Sequence, residues 1–177
     1  SLPELDSLQQ AIMSETSETV NAESSSLALF DPDTDELYFY VATGGAQERE
    51  FERKLKRFRL SVGSGVVGWC AQHRRALNIP DAYEDERFNP DVDKQTGFRT
   101  RAILAVPMVR RDRLIGVVEA VNRRDGEPFS DRDEKVLAFL ATQAALVIEN
   151  ARLYQESLDQ ARLTALGQGI AGAAHCI

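Results

Sequence analysis

The chain has 177 residues, 43% hydrophobic and 28% charged, enough to bury one good-sized core as a single domain with helical extensions. Its formal net charge of −7 and pI near 4.9 argue against nucleic-acid or anionic-membrane partners, whose binding needs clustered Lys and Arg, so an anionic ligand must be held by a local field. Cys70 and Cys176, far apart and without CxxC spacing, and only two histidines argue against a disulfide framework or a zinc site, and no metal is expected.

Residues 1–20 carry Leu5, Leu8 and Ile12 among polar residues, which predicts a weakly amphipathic N-terminal helix rather than a core helix. Leu27–Phe30 and Leu37–Ala42 are apolar runs joined by Asp31-Pro32-Asp33-Thr34-Asp35, a β-hairpin pattern. The charged stretch Gln47–Arg57 reads as a loop or a short helix, and Phe58–Val62 alternates like a strand. Gly65–His73 suits a short helix and Leu77–Ile79 a brief strand. Asp81–Thr100 is polar and long, the kind of loop that often carries function. Ala102–Val109 and Leu114–Asn122 form a second hairpin, after which the pattern turns helical from Ser130. Leu140, Ala144, Val147, Ala151, Tyr154, Leu158, Ala161 and Ala165 follow steps of four and three. That spacing fits a coiled-coil seam and a homodimer, and its first half fits equally a helix packed on its own sheet. The fold class is α+β: a central antiparallel sheet flanked by N- and C-terminal helices. No contiguous apolar run approaches the roughly 20 residues of a membrane span, and no leader opens the chain, so a cytoplasmic location is expected.

Gly63-Ser64-Gly65-Val66-Val67-Gly68 spells G-x-G-x-x-G, but the charged residues before it do not make a buried parallel strand and the helix after it is short. Two readings stay open: a tight turn, or a turn into a helix whose free N–H groups seat an anion. Downstream, Phe129 is an apolar residue to bury, Ser130 and Asp133 make a capping box, and Asp133 is placed to meet Arg123. These read as scaffold that ties the last strand to the final helix.

Leu77-Asn78-Ile79-Pro80-Asp81-Ala82-Tyr83 through Phe88, then Asp93 and Thr96-Gly97-Phe98-Arg99-Thr100, resemble the ligand-binding core of GAF domains, most specifically the cyclic-nucleotide-binding branch of phosphodiesterases and adenylyl cyclases. Asn122-Arg123, Phe129 and Asp133-Glu134 stand at the spacing of that branch's signature, with Arg123 in place of lysine. The resemblance implies a GAF domain over residues 21–155 with cAMP or cGMP as its ligand and no resident cofactor. It places Ser26 and Thr43 at the purine, Val66, Val67 and Asn89 at the cyclic phosphate through backbone N–H groups, Asp93, Thr96 and Thr100 on the covering segment, and Glu119 facing the same cavity. For Thr96 and Thr100, ordinary loop capping is the alternative. The best-known members stack an aromatic ring on the purine where this chain has Ala42-Thr43.

Residues 156–177 are expected to form a signalling helix, since Ala165 through His175 resembles the approach to the phosphoacceptor box of sensor histidine kinases. There an acidic residue follows the histidine; here Cys176 does, and a solvent-facing helical histidine is the alternative to a phosphoacceptor. Together these features imply a non-catalytic sensory module that relays ligand binding through terminal helices to an output domain such as a histidine kinase. A dimerisation and relay module without nucleotide binding is the alternative.

Overall fold

The computed structural model of the protein describes residues 3–44 and 48–175, with side chains over 4–44 and 48–169. The side chain of His175, and Cys176 with it, lie outside the described residues. Six antiparallel strands form one sheet in the order β3-β2-β1-β6-β5-β4. In chain order the elements are α1 (Pro3–Thr19), β1 (Ala22–Asp31), β2 (Glu36–Gly44), α2 (Glu48–Leu55), β3 (Arg59–Ser61), α3 (Gly65–His73), β4 (Leu77–Ile79), a 3₁₀ turn (Ala82–Glu84), α4 (Asp91–Thr96), β5 (Ile103–Arg110), β6 (Arg113–Arg123) and α5 (Asp131–His175).

Local chemistry explains the two hairpins. Asp31 accepts a hydrogen bond from the Asp33 N–H at 3.0 Å, a side chain closing its own turn, and Asp35 takes a left-handed φ of 56°. Arg111 and Asp112, with φ of 50° and 62°, make the two-residue turn between β5 and β6, whose twist matches that of the flanking strands. The polar stretch after β4 is only partly a loop. It contains the 3₁₀ turn, capped by Asp81 accepting from the Tyr83 N–H, and α4, ended by Gly97 at φ 75°.

β1 begins five residues earlier than its apolar run suggests, because Ser24, Ser25 and Ser26 are buried strand residues. Burying hydroxyls is tolerable when each finds a partner. Ser24 donates to the Thr43 carbonyl at 2.7 Å and Ser25 to the Met13 carbonyl at 2.9 Å. The same polar network corrects the reading of α1. Its buried face is Gln9, Met13, Thr16 and Ser17, with Val20 buried just past its end, while Leu8 is 47% exposed. Ser17 holds that face down through hydrogen bonds to Ser25 at 2.6 Å and Thr43 at 2.9 Å, and the Tyr40 hydroxyl donates to Asp6.

The opposite face of the sheet carries the main apolar cluster, including Ala28, Leu37, Phe39, Ala42, Val66, Val67, Cys70, Ala71, Leu77, Ile79, Ile103, Ala105 and Val117. Phe51, Phe58, Trp69, Phe88 and Val92 pack against it from the connecting elements. The chain divides into a compact unit of Ser1–Ala145, which includes α1, and a second unit of Leu146–Ile177. Within the first, Leu137, Ala141, Ala144 and Ala145 of α5 are buried. Within the second, Leu153, Tyr154, Leu163 and Leu166 are exposed. α5 is also long and apolar enough, by length and composition alone, to cross a membrane. Charged residues interrupt its apolar ones, so no unbroken apolar run marks it in the sequence.

Candidate functional site

Gly63 and Gly65 take φ of 89° and 68°, and a Cβ on Gly68 would lie 2.5 Å from the Ser61 carbonyl oxygen. The glycines therefore swing the chain sharply from β3 into α3 and press the helix against the strand end. Ser64 sits at the cap position in extended conformation, and its side chain makes no capping hydrogen bond. The first N–H groups of α3, from Gly65, Val66 and Val67, thus lack an intrahelical acceptor and a side-chain cap, at the positive end of the helix dipole. The sheet is antiparallel throughout, so the glycines serve no dinucleotide fold.

Strand register builds the floor. Ala42, Ser26, Glu119 and Ala105 are successive cross-strand partners on β2, β1, β6 and β5, and Leu77 continues the row on β4. Ala42, Ala105 and Leu77 belong to the apolar cluster, so this row faces α3. Small side chains on both sides of Glu119 leave the middle of the sheet low. Glu119 is half-buried, receives no hydrogen bond from the described residues, and titrates near 7, raised by burial and then by the charge of Asp93. Cys70 of α3 is pushed up to about 12 by burial and by Glu119, and donates to the Arg75 carbonyl at 3.2 Å. It is an unreactive thiol.

The cover is organised around Asp93, which is buried in α4. Its carboxylate accepts from the Thr100 N–H at 2.8 Å, the Thr100 hydroxyl at 2.6 Å and the Tyr83 hydroxyl at 2.7 Å. That last bond raises the Tyr83 phenol above its usual range. The Arg99 guanidinium stacks 3.8 Å from the centre of the Tyr83 ring, and Phe98 meets Phe51 of α2 at 5.5 Å. The 3₁₀ turn, α4 and residues 97–100 are thereby tied into one piece.

The structure brings Ser26, Val66, Val67, Asp93, Thr100 and Glu119 to the same side of the sheet. Thr43 it does not. Its hydroxyl bonds to Ser17 and Ser25 under α1, on the opposite face, because a residue's neighbour along a strand points the other way. The side chain of Asn89 is exposed and accepts from the Asp91 N–H at 3.0 Å, leading into α4. The Thr96 hydroxyl donates to the Val92 carbonyl at 2.8 Å and accepts from the Phe98 N–H at 3.3 Å, which is local capping. Tyr83 and Arg99 lie in the stretch that resembles the GAF ligand-binding core, but sequence reasoning gave neither a role. The only signal was an aromatic and a cation within one polar stretch, and only the fold of that stretch shows that Tyr83 reaches Asp93.

The signature residues form a clamp. Asn122, fully buried at φ 57°, accepts from the Arg101 N–H at 2.6 Å and the Ala102 N–H at 3.1 Å, and donates to the Arg99 carbonyl at 2.8 Å and Glu23 at 3.0 Å. Arg123 pairs with Asp133 at 3.0 Å and Asp125 at 2.6 Å. The Ser130–Asp133 capping box is formed in both directions, at 2.8 and 3.2 Å, Phe129 is buried, and the Glu134 N–H closes the first turn of α5 on the Ser130 carbonyl. The clamp fixes the segment behind the cover to β6 and β6 to α5.

The GAF domain family model matches residues 4–148. The chain belongs to the GAF domain family. It is 36% identical over 156 residues to the probable 3',5'-cyclic phosphodiesterase pde-5 of Caenorhabditis elegans, covering 86% of this chain and 21% of that protein. It is 41% identical over 97 residues to the dual 3',5'-cyclic-AMP and -GMP phosphodiesterase 11A of Takifugu rubripes, covering 54% of this chain and 11% of that protein. The chain thus spans a small part of each relative's length. Among solved structures, the GAF domain of a phosphoenolpyruvate-protein phosphotransferase from Coxiella burnetii superposes with a TM-score of 0.73 at 19% identity, covering 88% of this chain and 89% of that one. That likeness concerns the fold alone: this GAF domain shares the curled six-stranded antiparallel sheet with flanking helices.

Proposed function

We propose that this GAF domain is a regulatory module that binds a cyclic nucleotide between the sheet and its α3–α4 cover. The observation that carries the reading is the uncapped N-terminus of α3, whose N–H groups share a side of the sheet with the Ser26–Glu119 row and the Asp93–Thr100–Tyr83 cluster. A cyclic phosphate needs N–H donors, and a purine edge needs mixed polar groups, and both chemistries are available there. Similarity to two cyclic-nucleotide phosphodiesterases supports the choice of ligand class. The test is calorimetric titration of cAMP and cGMP, with thermal melts alongside, because a ligand held only by the folded state raises the melting temperature. Thr100→Ala, which removes one of the bonds organising the cover, should reduce that rise. No heat and no shift at millimolar nucleotide would discard the reading.

The second reading is a dimerisation and relay module without nucleotide affinity. It draws on the exposed Leu153, Tyr154, Leu163 and Leu166 and on Ala42, which offers no ring for a purine to stack on. A parallel homodimer through the second unit, a cytoplasmic location, and output through the helix toward a domain such as a histidine kinase belong to both readings as proposals. The pattern Ala165–His175 supports a kinase-type output, whereas the named relatives are phosphodiesterases. Extending the protein past Ile177 and assaying phosphotransfer to His175 distinguishes the two outputs.

A further inference from the structure

We propose that Glu119 selects the purine of the bound nucleotide through its own protonation state, accepting adenine as a carboxylic acid and excluding it as a carboxylate. This rests on the cyclic-nucleotide reading and deepens it. The geometry is a single carboxyl at the centre of the floor, flanked by Ser26 and Ala105 in the cross-strand row, with no hydrogen bond from any described residue. Every other carboxylate or thiol on that side is committed. Asp93 of α4 holds Thr100 and Tyr83, Cys70 of α3 donates to a carbonyl, and these two are the titratable groups that face Glu119. Arg99 is turned onto the Tyr83 ring and does not reach Glu119 among the described contacts.

A base edge resting on the floor therefore meets one group whose donor pattern changes with pH, beside the Ser26 hydroxyl, which donates or accepts at any pH. The ionised carboxyl offers acceptors only. Guanine presents N1–H and N2–H donors side by side and suits it, whereas the adenine N1 lone pair would face a like partner with nothing between them. The protonated carboxyl offers one O–H and one carbonyl, the complement of adenine N1 and its N6 amino group. A buried mismatch of this kind leaves polar groups unpaired, and that is what makes hydrogen-bonding sites selective. Because Glu119 titrates near 7, both forms are populated within the physiological range.

The test is titration of cAMP and cGMP into the 177-residue protein at pH 6 and pH 8, repeated with Glu119→Gln. The adenine-competent acid falls from about nine-tenths to about one-tenth of the molecules between those pH values, so the Kd for cAMP should rise about tenfold while that for cGMP does not. Glutamine presents one donor and one acceptor at every pH, so the variant should bind cAMP at pH 8 as the wild type does at pH 6. Nucleotide binding with a cAMP-to-cGMP ratio that is the same at both pH values would overturn the selector and leave the binding site standing. Absence of binding by wild type and variant at either pH would overturn the binding site and the selector together.

Discussion

Glu119 and Asn122 lie three residues apart on β6 and have opposite relations to stability. The carboxyl of Glu119 has a folded-state value of about 7 against an ordinary 4.5, so between those pH values the folded chain keeps a proton that the unfolded chain releases. Stability from this group is therefore lost as pH rises from about 4.5 to about 7, and the loss is complete above that window, with a size of about 3 kcal/mol. Glu119→Gln is predicted to raise the melting temperature at pH 8 and to leave it nearly unchanged at pH 4.5, a comparison that thermal melts across pH will make. A variant no more stable than wild type at pH 8 would contradict the burial argument. Asn122 is the reverse case. Its amide satisfies two backbone N–H groups and a carbonyl, in a left-handed conformation that asparagine tolerates better than most residues. Asn122→Ala should cost about 3 kcal/mol in urea unfolding, since the buried backbone groups lose their partners together.

Among elements, α3 and α1 show how much a short stretch depends on what it touches. α3 reaches its place because Gly68 has no Cβ where the Ser61 carbonyl passes. Gly68→Ala should shift the helix, destabilise the domain by about 1–3 kcal/mol, and weaken nucleotide binding by moving the N–H groups of Val66 and Val67. Thermal melts and calorimetry on the same variant separate the two effects. If stability falls with no change in nucleotide affinity, the phosphate is held elsewhere. α1 is held by a hydroxyl network as much as by apolar burial. Ser17→Ala is expected to cost about 1 kcal/mol, the size of a lost hydrogen bond, whereas Leu8→Ser on the exposed side should cost little.

At the scale of the whole molecule, the first unit has a large buried core and leaves Leu8, Val109 and Phe139 exposed, while the second exposes Leu153, Tyr154, Leu163 and Leu166. Isolated helices are marginal in water, and helices are stabilised mainly by packing an apolar face. The proposed homodimer supplies that packing along the Tyr154, Leu158, Ala161 and Ala165 seam, and sedimentation velocity should show a dimer that Leu158→Asp converts to monomer. The melting transition of the first unit should persist in the variant. A monomeric wild type at high concentration would remove the coiled-coil argument.

The order of strands and helices was legible from apolar runs and turn residues, because hairpin turns and period-two or helical spacing are local physics. The clamp was legible for the same reason: Ser130 and Asp133 are three residues apart, and Arg123 is close along the chain. What lay beyond the sequence was set by contacts between residues far apart in it. Ser24 and Ser25 lie outside the apolar run of the first strand, yet Thr43 and Met13 satisfy their hydroxyls inside it, and apolar Leu8 stays exposed while polar Ser17 of the same helix is buried. Thr43 and Ala42 are neighbours in the chain, yet strand pleating sends one to α1 and the other to the site floor. Sequence by itself determined the elements and the family, since both are written in local patterns. Only the tertiary structure decided which face each polar side chain serves, and it left Glu119 on the floor without a hydrogen bond from the described residues, because register across four strands and the burial it produces are properties of no single segment.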